Sequence, residues 1–337
     1  MATIKDVALL SGVSVATVSR VINDSPKASQ ESRDVVFKAM AELQYHPNAN
    51  ARALAHQNTQ TLGIIVADVS DPFFGAMVKA AEQVAQSAGN FLLVGNGYHN
   101  AQKEKQMIEQ LIGHRCAGLI VHAKMLSDDE LKLFMTHVPG MVLVNRVLPG
   151  YESRCIALDD RYGAWLATRH LIHEGHTRIG FLCSNHDISD SRDRMQGYID
   201  ALEEHGLPVD ERLISRGEPD ETGGEAAMTD LLGKTHDITG VVCYNDSMAA
   251  GALSVLNDNA ISVPKDMSLV GFDDVLIARY LHPKLTTIRY PVVAMATQAA
   301  QLALALARGE ALPDVTNMLS PTLVRRHSVA NLNYRNS

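Results

Sequence analysis

The sequence predicts a two-lobed α/β body, each lobe a doubly wound parallel sheet, preceded by a small all-α head. Three observations carry this expectation. From residue 62 onward, short continuous apolar runs alternate with helix-period stretches, the pattern of parallel strands covered on both faces. The pattern restarts near Arg178, and its strands are too many for one modest sheet. The first 60 residues instead hold three short helical patterns, and 337 residues exceed what a single core organises.

In the head, Thr3 is placed to cap a helix with Asp6 in the capping-box position, and Ile4, Val7 and Ala8 form its apolar stripe. Ser11-Gly12-Val13-Ser14 reads as a tight turn in which Gly12 can take positive φ. Ser14 caps a second helix, VATVSRVIN, with Val18 and Val21 facing inward. A third helix follows from Ser29, with Val35, Val36, Ala39, Met40 and Leu43 at helical spacing. Two short helices joined by a Gly-containing turn make a helix-turn-helix, whose second helix enters the DNA major groove. Val15, Ala16, Thr17, Ser19 and Arg20 are its exposed positions, and Thr3, Ser14 and Asn23 flank them in the candidate DNA-binding set. Arg20 can give paired donors to guanine, while Val15 and Ala16 offer apolar contact to a thymine methyl. The competing reading is a helical hairpin serving another domain.

In the body, strands are expected over 62–67, 91–96, 117–123, 141–145, 179–184, 240–245 and 267–273, separated by helices that include 74–88, 102–112, 161–173, 192–205 and 246–257. Ligands of such sheets bind at the carboxyl ends of the strands. The polar residues there are Asp71 beside Phe73 and Phe74, Asn145-Arg146, Asn245-Asp246 and Asp273-Asp274, with Arg194 in the helix after IGFLCS. Carboxylates and amides for hydroxyl groups, with a ring face for a C–H patch, are what a sugar requires. Neighbouring side chains on a helix point about 100° apart. Phe73 is therefore expected in the site and Phe74 mainly in the core.

Other chemistries are disfavoured. No apolar run reaches the roughly 18 residues that span a bilayer, and the N-terminus lacks a signal-peptide h-region. Cys116, Cys155, Cys183 and Cys243 are far apart in apolar runs, as buried reduced thiols in a cytoplasmic protein would be. His170 and His173 could share a helix face, but Gly175 ends the helix before His176, so no metal set is expected. Asp159-Asp160 and Asp273-Asp274 are adjacent residues whose side chains diverge, unlike a glycosidase pair, so no enzyme is expected. Gly223-Gly224 has no Lys-Ser/Thr partner for a phosphate loop. Residues 1–60 hold six Lys/Arg against five Asp/Glu, and the rest of the chain holds 24 against 33. DNA is therefore expected at the head only.

IKDVALLSGVSVATVSRVIN followed by HPNANARALA resembles the headpiece and hinge of the lactose/galactose repressor family. DPFF, VNR, the arginine of RMQGY, YNDSMAAG and GFDD resemble that family's effector domain and the periplasmic sugar-binding proteins of the ribose type. The resemblance implies a headpiece over 1–47, a hinge helix and linker over 48–60, and a periplasmic-binding-protein-like sugar-binding and dimerisation domain over 61–330. Within that domain the lobes are 61–160 plus 291–319 and 161–290 plus 320–330, and a tail follows over 331–337. It places Asn48, Arg52 and Leu54 on DNA, with Leu54 as a wedge into the minor groove. It places Asp71, Phe73, Phe74, Asn145, Arg146, Arg194, Asn245, Asp273 and Tyr290 around the sugar. The implied function is a repressor of galactose transport and metabolism genes. It would act as a homodimer on palindromic double-stranded operator DNA, be released by D-galactose, and need no cofactor and no membrane. An isorepressor, a repressor responding to another hexose or pentose, and a sugar-binding protein without DNA function are the alternatives. Asn145 stands where many relatives have aspartate, and Pro219 lies where several supply a bulky aromatic. The tail lacks leucine heptads, which favours a dimer over a tetramer.

Overall fold

The computed structural model describes residues 2–23, 25–45, 60–235 and 237–333, and it divides into two units, Met1–Gln60 and Thr61–Ser337. Asn48, Arg52 and Leu54 lie outside the described residues. The described residues of the first unit hold helices α1 (Ile4–Ser11), α2 (Val15–Ile22) and α3 (Gln30–Glu42). Each start follows from a side-chain cap. Thr3 accepts from the Asp6 amide while the Asp6 carboxylate accepts from the Thr3 amide at 2.7 Å, Ser14 accepts from Thr17, and Ser29 accepts from Ser32. Gly12 ends α1 at φ +71°, a conformation that suits glycine. Val7, Ala8, Val18, Val21, Val36 and Ala39 form the small core. Val35 departs from its expected place and is 38% exposed, because Val36 takes the inward position and its neighbour turns away.

The described residues of the second unit form two six-stranded sheets. The first has the order β11-β5-β4-β3-β1-β2 and is parallel throughout, from β1 (Thr61–Val66), β2 (Phe91–Asn96), β3 (Gly118–Val121), β4 (Met141–Val144), β5 (Cys155–Leu158) and β11 (Met318–Leu319). The second has the order β12-β10-β9-β8-β6-β7, from β6 (Ile179–Ser184), β7 (Ile214–Gly217), β8 (Gly240–Cys243), β9 (Ser268–Asp273), β10 (Thr286–Arg289) and β12 (Thr322–Val324). Only β12 runs antiparallel to its neighbour there. The continuous apolar runs account for the central strands: β3, β4 and β8 are buried at every position. Strand β2 is the exception, an edge strand with Phe91 76% exposed.

Helices α4 (Pro72–Ser87), α5 (Ala101–Gly113), α6 (Asp128–His137) and α11 (Val292–Arg308) belong with the first sheet. Helices α7 (Asp160–His173), α8 (Ser189–Glu204), α9 (Glu221–Lys234) and α10 (Asp246–Asp258) belong with the second. Helix α11 lies so close to β3 that a Cβ on Gly118 would come within 2.9 Å of the Ala303 carbonyl oxygen. The chain passes from one sheet to the other after β5, after β10 and between β11 and β12. Both sheets therefore belong to one body whose strand ends can share a cleft.

Candidate functional site

Residues at the carboxyl ends of strands from both sheets line one cleft of about 490 Å³, its open mouth included. Asp71, after β1, caps α4 by accepting from the Phe73 amide at 2.8 Å, and burial raises its pKa above the ordinary carboxylate value. Pro72 at the first helical position starts α4 two residues earlier than the apolar period suggests. Phe73 and Phe74 are both buried and both line the cleft. Their rings meet edge to face at 5.1 Å; Phe73 continues to Tyr290 at 4.8 Å and Phe74 to His122 at 4.9 Å. The expected split between a site ring and a core ring gives way to two rings on one wall. On that wall Phe74 lies against His122, at the end of β3.

Arg194 on α8 is buried and held from several sides. Its Nε donates to Asp160 at 2.8 Å, one Nη donates to the Tyr244 carbonyl at 2.6 Å, and the other lies 3.7 Å from Asp273. Its guanidinium stacks 3.7 Å over the Phe272 ring. Asp273 ends β9 at φ +104° and faces the cleft, with a pKa pushed up to about 7 by burial against the opposing pull of Arg194. Its neighbour Asp274 is turned instead to Arg289 at 2.8 Å and to Arg326. Asp246 is likewise structural: it accepts from the Thr287 hydroxyl at 2.6 Å and the Val275 amide at 2.9 Å. Asn245 caps α10 and donates to the Pro219 carbonyl at 2.8 Å, and both residues line the cleft.

Asn145 takes φ +55° at the end of β4, with its Nδ2 3.5 Å from Asp190. Its Oδ1 is buried without a hydrogen-bond partner among the described residues. Arg146 does not join it. Its guanidinium donates to the Ala123 and Leu126 carbonyls at 3.1 and 2.8 Å and to Asp128 at 2.7 Å, so it fastens the loop after β3 from outside the cleft. Two backbone carbonyls and a carboxylate thus take up the Arg146 donors.

The cleft also holds His99, His122, His186, Asp190 and Tyr244, none of which the sequence reading singled out. His99 and His186 approach across the two sheets with ring centroids 4.9 Å apart, and His186 lies 2.9 Å from Glu218. Burial holds the pKa of His99 at about 4 and that of His122 well below the ordinary value, so both rings are neutral. The Nδ1 of His122 has no hydrogen-bond partner among the described residues. Burial opposes ionisation of Asp190, but Lys124 at 3.1 Å and Arg194 keep it below the usual carboxylate range. His122 and Tyr244 each close an apolar strand run, so proximity to a strand end was the available signal for them. Pro219 itself lines the cleft, with its carbonyl accepting from Asn245 at 2.8 Å. The cleft thus combines acidic acceptors, neutral imidazoles, a fixed guanidinium and aromatic faces. Among the described residues no group of three His, Cys, Asp or Glu is arranged to hold a metal.

In the first unit, Val15, Ala16 and Arg20 are exposed along α2, with Thr17 and Ser19 half-buried beside them. The Ser14 and Thr17 hydroxyls are 2.9 Å apart, and Asn23 donates to Ser19 at 3.3 Å. Thr3 is engaged in its capping box.

Residues 3–48 match the family model for bacterial regulatory proteins of the lacI family, and residues 168–329 match that for a periplasmic binding protein-like domain. The chain is 70% identical over 330 residues to the HTH-type transcriptional regulator GalR of Escherichia coli (strain K12), covering 98% of this chain and 96% of that one. It is 53% identical over 330 residues to the regulator GalS of Salmonella typhimurium, covering 98% and 97%. A solved structure of the lac repressor dimer bound to operator and the anti-inducer ONPF superimposes with a TM-score of 0.84 at 26% identity, covering 98% and 99%.

Proposed function

The chain belongs to the lacI family of bacterial regulatory proteins, DNA-binding transcription regulators rather than enzymes, and from that premise we propose that it is a repressor of galactose transport and metabolism genes released by D-galactose. The cleft carries the effector part of the proposal. Asp71, Asp190 and Asp273 supply acceptors for hydroxyl groups, Arg194 is a rigid donor, and the Phe73–Phe74 wall suits the apolar face of a pyranose. A hydroxyl is donor and acceptor at once, and the neutral rings of His99 and His122 match that character where a charged group would not.

On DNA, α2 enters the major groove of each half of a palindromic operator, bound by a homodimer in the cytoplasm. Residues 1–47 form the headpiece, 48–60 the hinge and linker, and 61–330 the effector and dimerisation domain. Asn48, Arg52 and Leu54 are assigned to operator contacts, with Leu54 as the apolar contact in the minor groove. Sugar favours one arrangement of the effector domain over another, and coupling to the operator is reciprocal. No helix among the described residues is long and apolar enough to cross a membrane.

Calorimetric titration of the full chain with a panel of hexoses and pentoses tests the effector. Saturable binding of one D-galactose per chain, with weaker binding of its epimers, is expected. Tighter binding of another sugar would move the assignment to that sugar, and no binding by any would remove it.

A further inference from the structure

Lys124 sits just beyond β3, on the first sheet, with its side chain only 1% exposed. Lysine is almost never fully buried unless paired. Here the ammonium has three partners. It lies 3.1 Å from Asp190 Oδ1, donates to the Asn145 carbonyl oxygen, and lies 3.5 Å from the Ser189 hydroxyl. Asp190 and Ser189 open α8 on the second sheet, so the pair spans the two lobes.

The loop carrying Lys124 is itself clamped. Glu104, buried on α5, accepts from the backbone amides of Lys124 at 3.1 Å, Met125 at 3.0 Å and Leu126 at 3.1 Å. Arg146 binds the Ala123 and Leu126 carbonyls from the other side. Beyond the ion pair, Asp190 Oδ2 accepts from the Tyr244 hydroxyl at 3.3 Å on the cleft side.

We propose that Lys124 is the positioning residue of the cleft: it bolts the two lobes together through Asp190 and fixes that carboxylate as an acceptor facing the ligand. The ammonium stands behind the cleft, so Lys124 acts through Asp190 and Asn145 rather than on the ligand. Without the ammonium, a buried carboxylate has lost its counter-ion. It must take up a proton or draw water between the lobes, and both oppose closure. The bolt stands on geometry alone; its effect on ligand affinity rests on the sugar reading above.

The test compares the full-length protein with Lys124→Met, Asp190→Asn and the double variant. Without sugar, hydrogen–deuterium exchange of Lys124→Met should show lost protection in 123–126 and also in 188–192, on the opposite lobe, with β1 and β9 unchanged. Loss confined to 123–126, or no loss, would overturn the bolt. With D-galactose, Lys124→Met should bind roughly a hundredfold more weakly. The double variant should regain protection but not affinity, since the ionised acceptor is gone. Affinity restored in the double variant would overturn the acceptor role.

A pH series separates positioning from general damage. Asp190 is faced by Lys124 and His122 from the end of β3, His99 from the loop after β2, Tyr244 just beyond β8, Asp160 from α7, Asp273 from β9, Tyr290 just beyond β10, and Asp193 and Arg194 on its own helix. The ratio of variant to wild-type affinity should fall from pH 8 to pH 5, because the carboxyl then protonates only in the variant. A ratio independent of pH would overturn the proposal. If the wild type binds no sugar, the sugar reading fails and the exchange result still decides the bolt.

Discussion

Asp273 and Asp274 are adjacent, both in left-handed backbone, and they do opposite work. Asp274 is nearly covered by Arg289 and Arg326, which hold the bend that aims Asp273 into the cleft. Asp274→Ala should therefore cost about 3 kcal/mol of stability, because it strands the largely buried Arg326 cation, and urea unfolding will measure it. Asp273→Asn should leave operator binding intact while removing release by sugar; normal release in an operator-binding assay would place Asp273 outside the ligand site. Its titration gives a further test. The folded pKa is about 7 against 3.8 for the unfolded chain, so folding takes up a proton between those values. The contribution of Asp273 to stability is therefore greatest below about pH 4, declines as pH rises toward 7, and is flat above. Relative to Asp273→Asn, wild-type stability should fall across that window, and a constant difference from pH 4 to 7 would contradict the burial that raises the pKa.

Among the elements, α2 carries the DNA reading. Arg20→Ala should relax preference at one base pair at a cost of roughly 1–3 kcal/mol, read by binding to a set of single-substituted operators. Uniform weakening across all of them would make Arg20 a phosphate contact instead. The head was legible because its signals are local: Thr3 with Asp6, Ser14, Gly12 and Ser29 each act within one turn, and each does so in the structure. The continuous apolar runs were legible for the same reason. Strands β5, β7, β10, β11 and β12 were not singled out; they are set by pairing with β4, β6, β9, β5 and β10. In the cleft, strand ends told where to look and side-chain direction did not follow. Arg146 adjoins Asn145 in sequence yet turns to the loop carbonyls, and His99 and His186 meet only because two sheets face each other. Phe74, expected as core, shares the wall with Phe73 for that tertiary reason.

At the scale of the whole molecule, charge and chemistry are divided along the chain. The acidic excess lies beyond residue 60, which leaves the headpiece as the part suited to a polyanion. The cleft lies in the second unit, so a sugar can change operator affinity only through a difference in its own affinity for two states of the protein. The most direct measurement is operator affinity of the full-length protein at one fixed salt concentration, titrated with D-galactose and a panel of other sugars. A saturable loss of operator affinity with D-galactose, of about tenfold or more, is the expected result. Operator affinity unchanged at saturating D-galactose would contradict a galactose-released repressor.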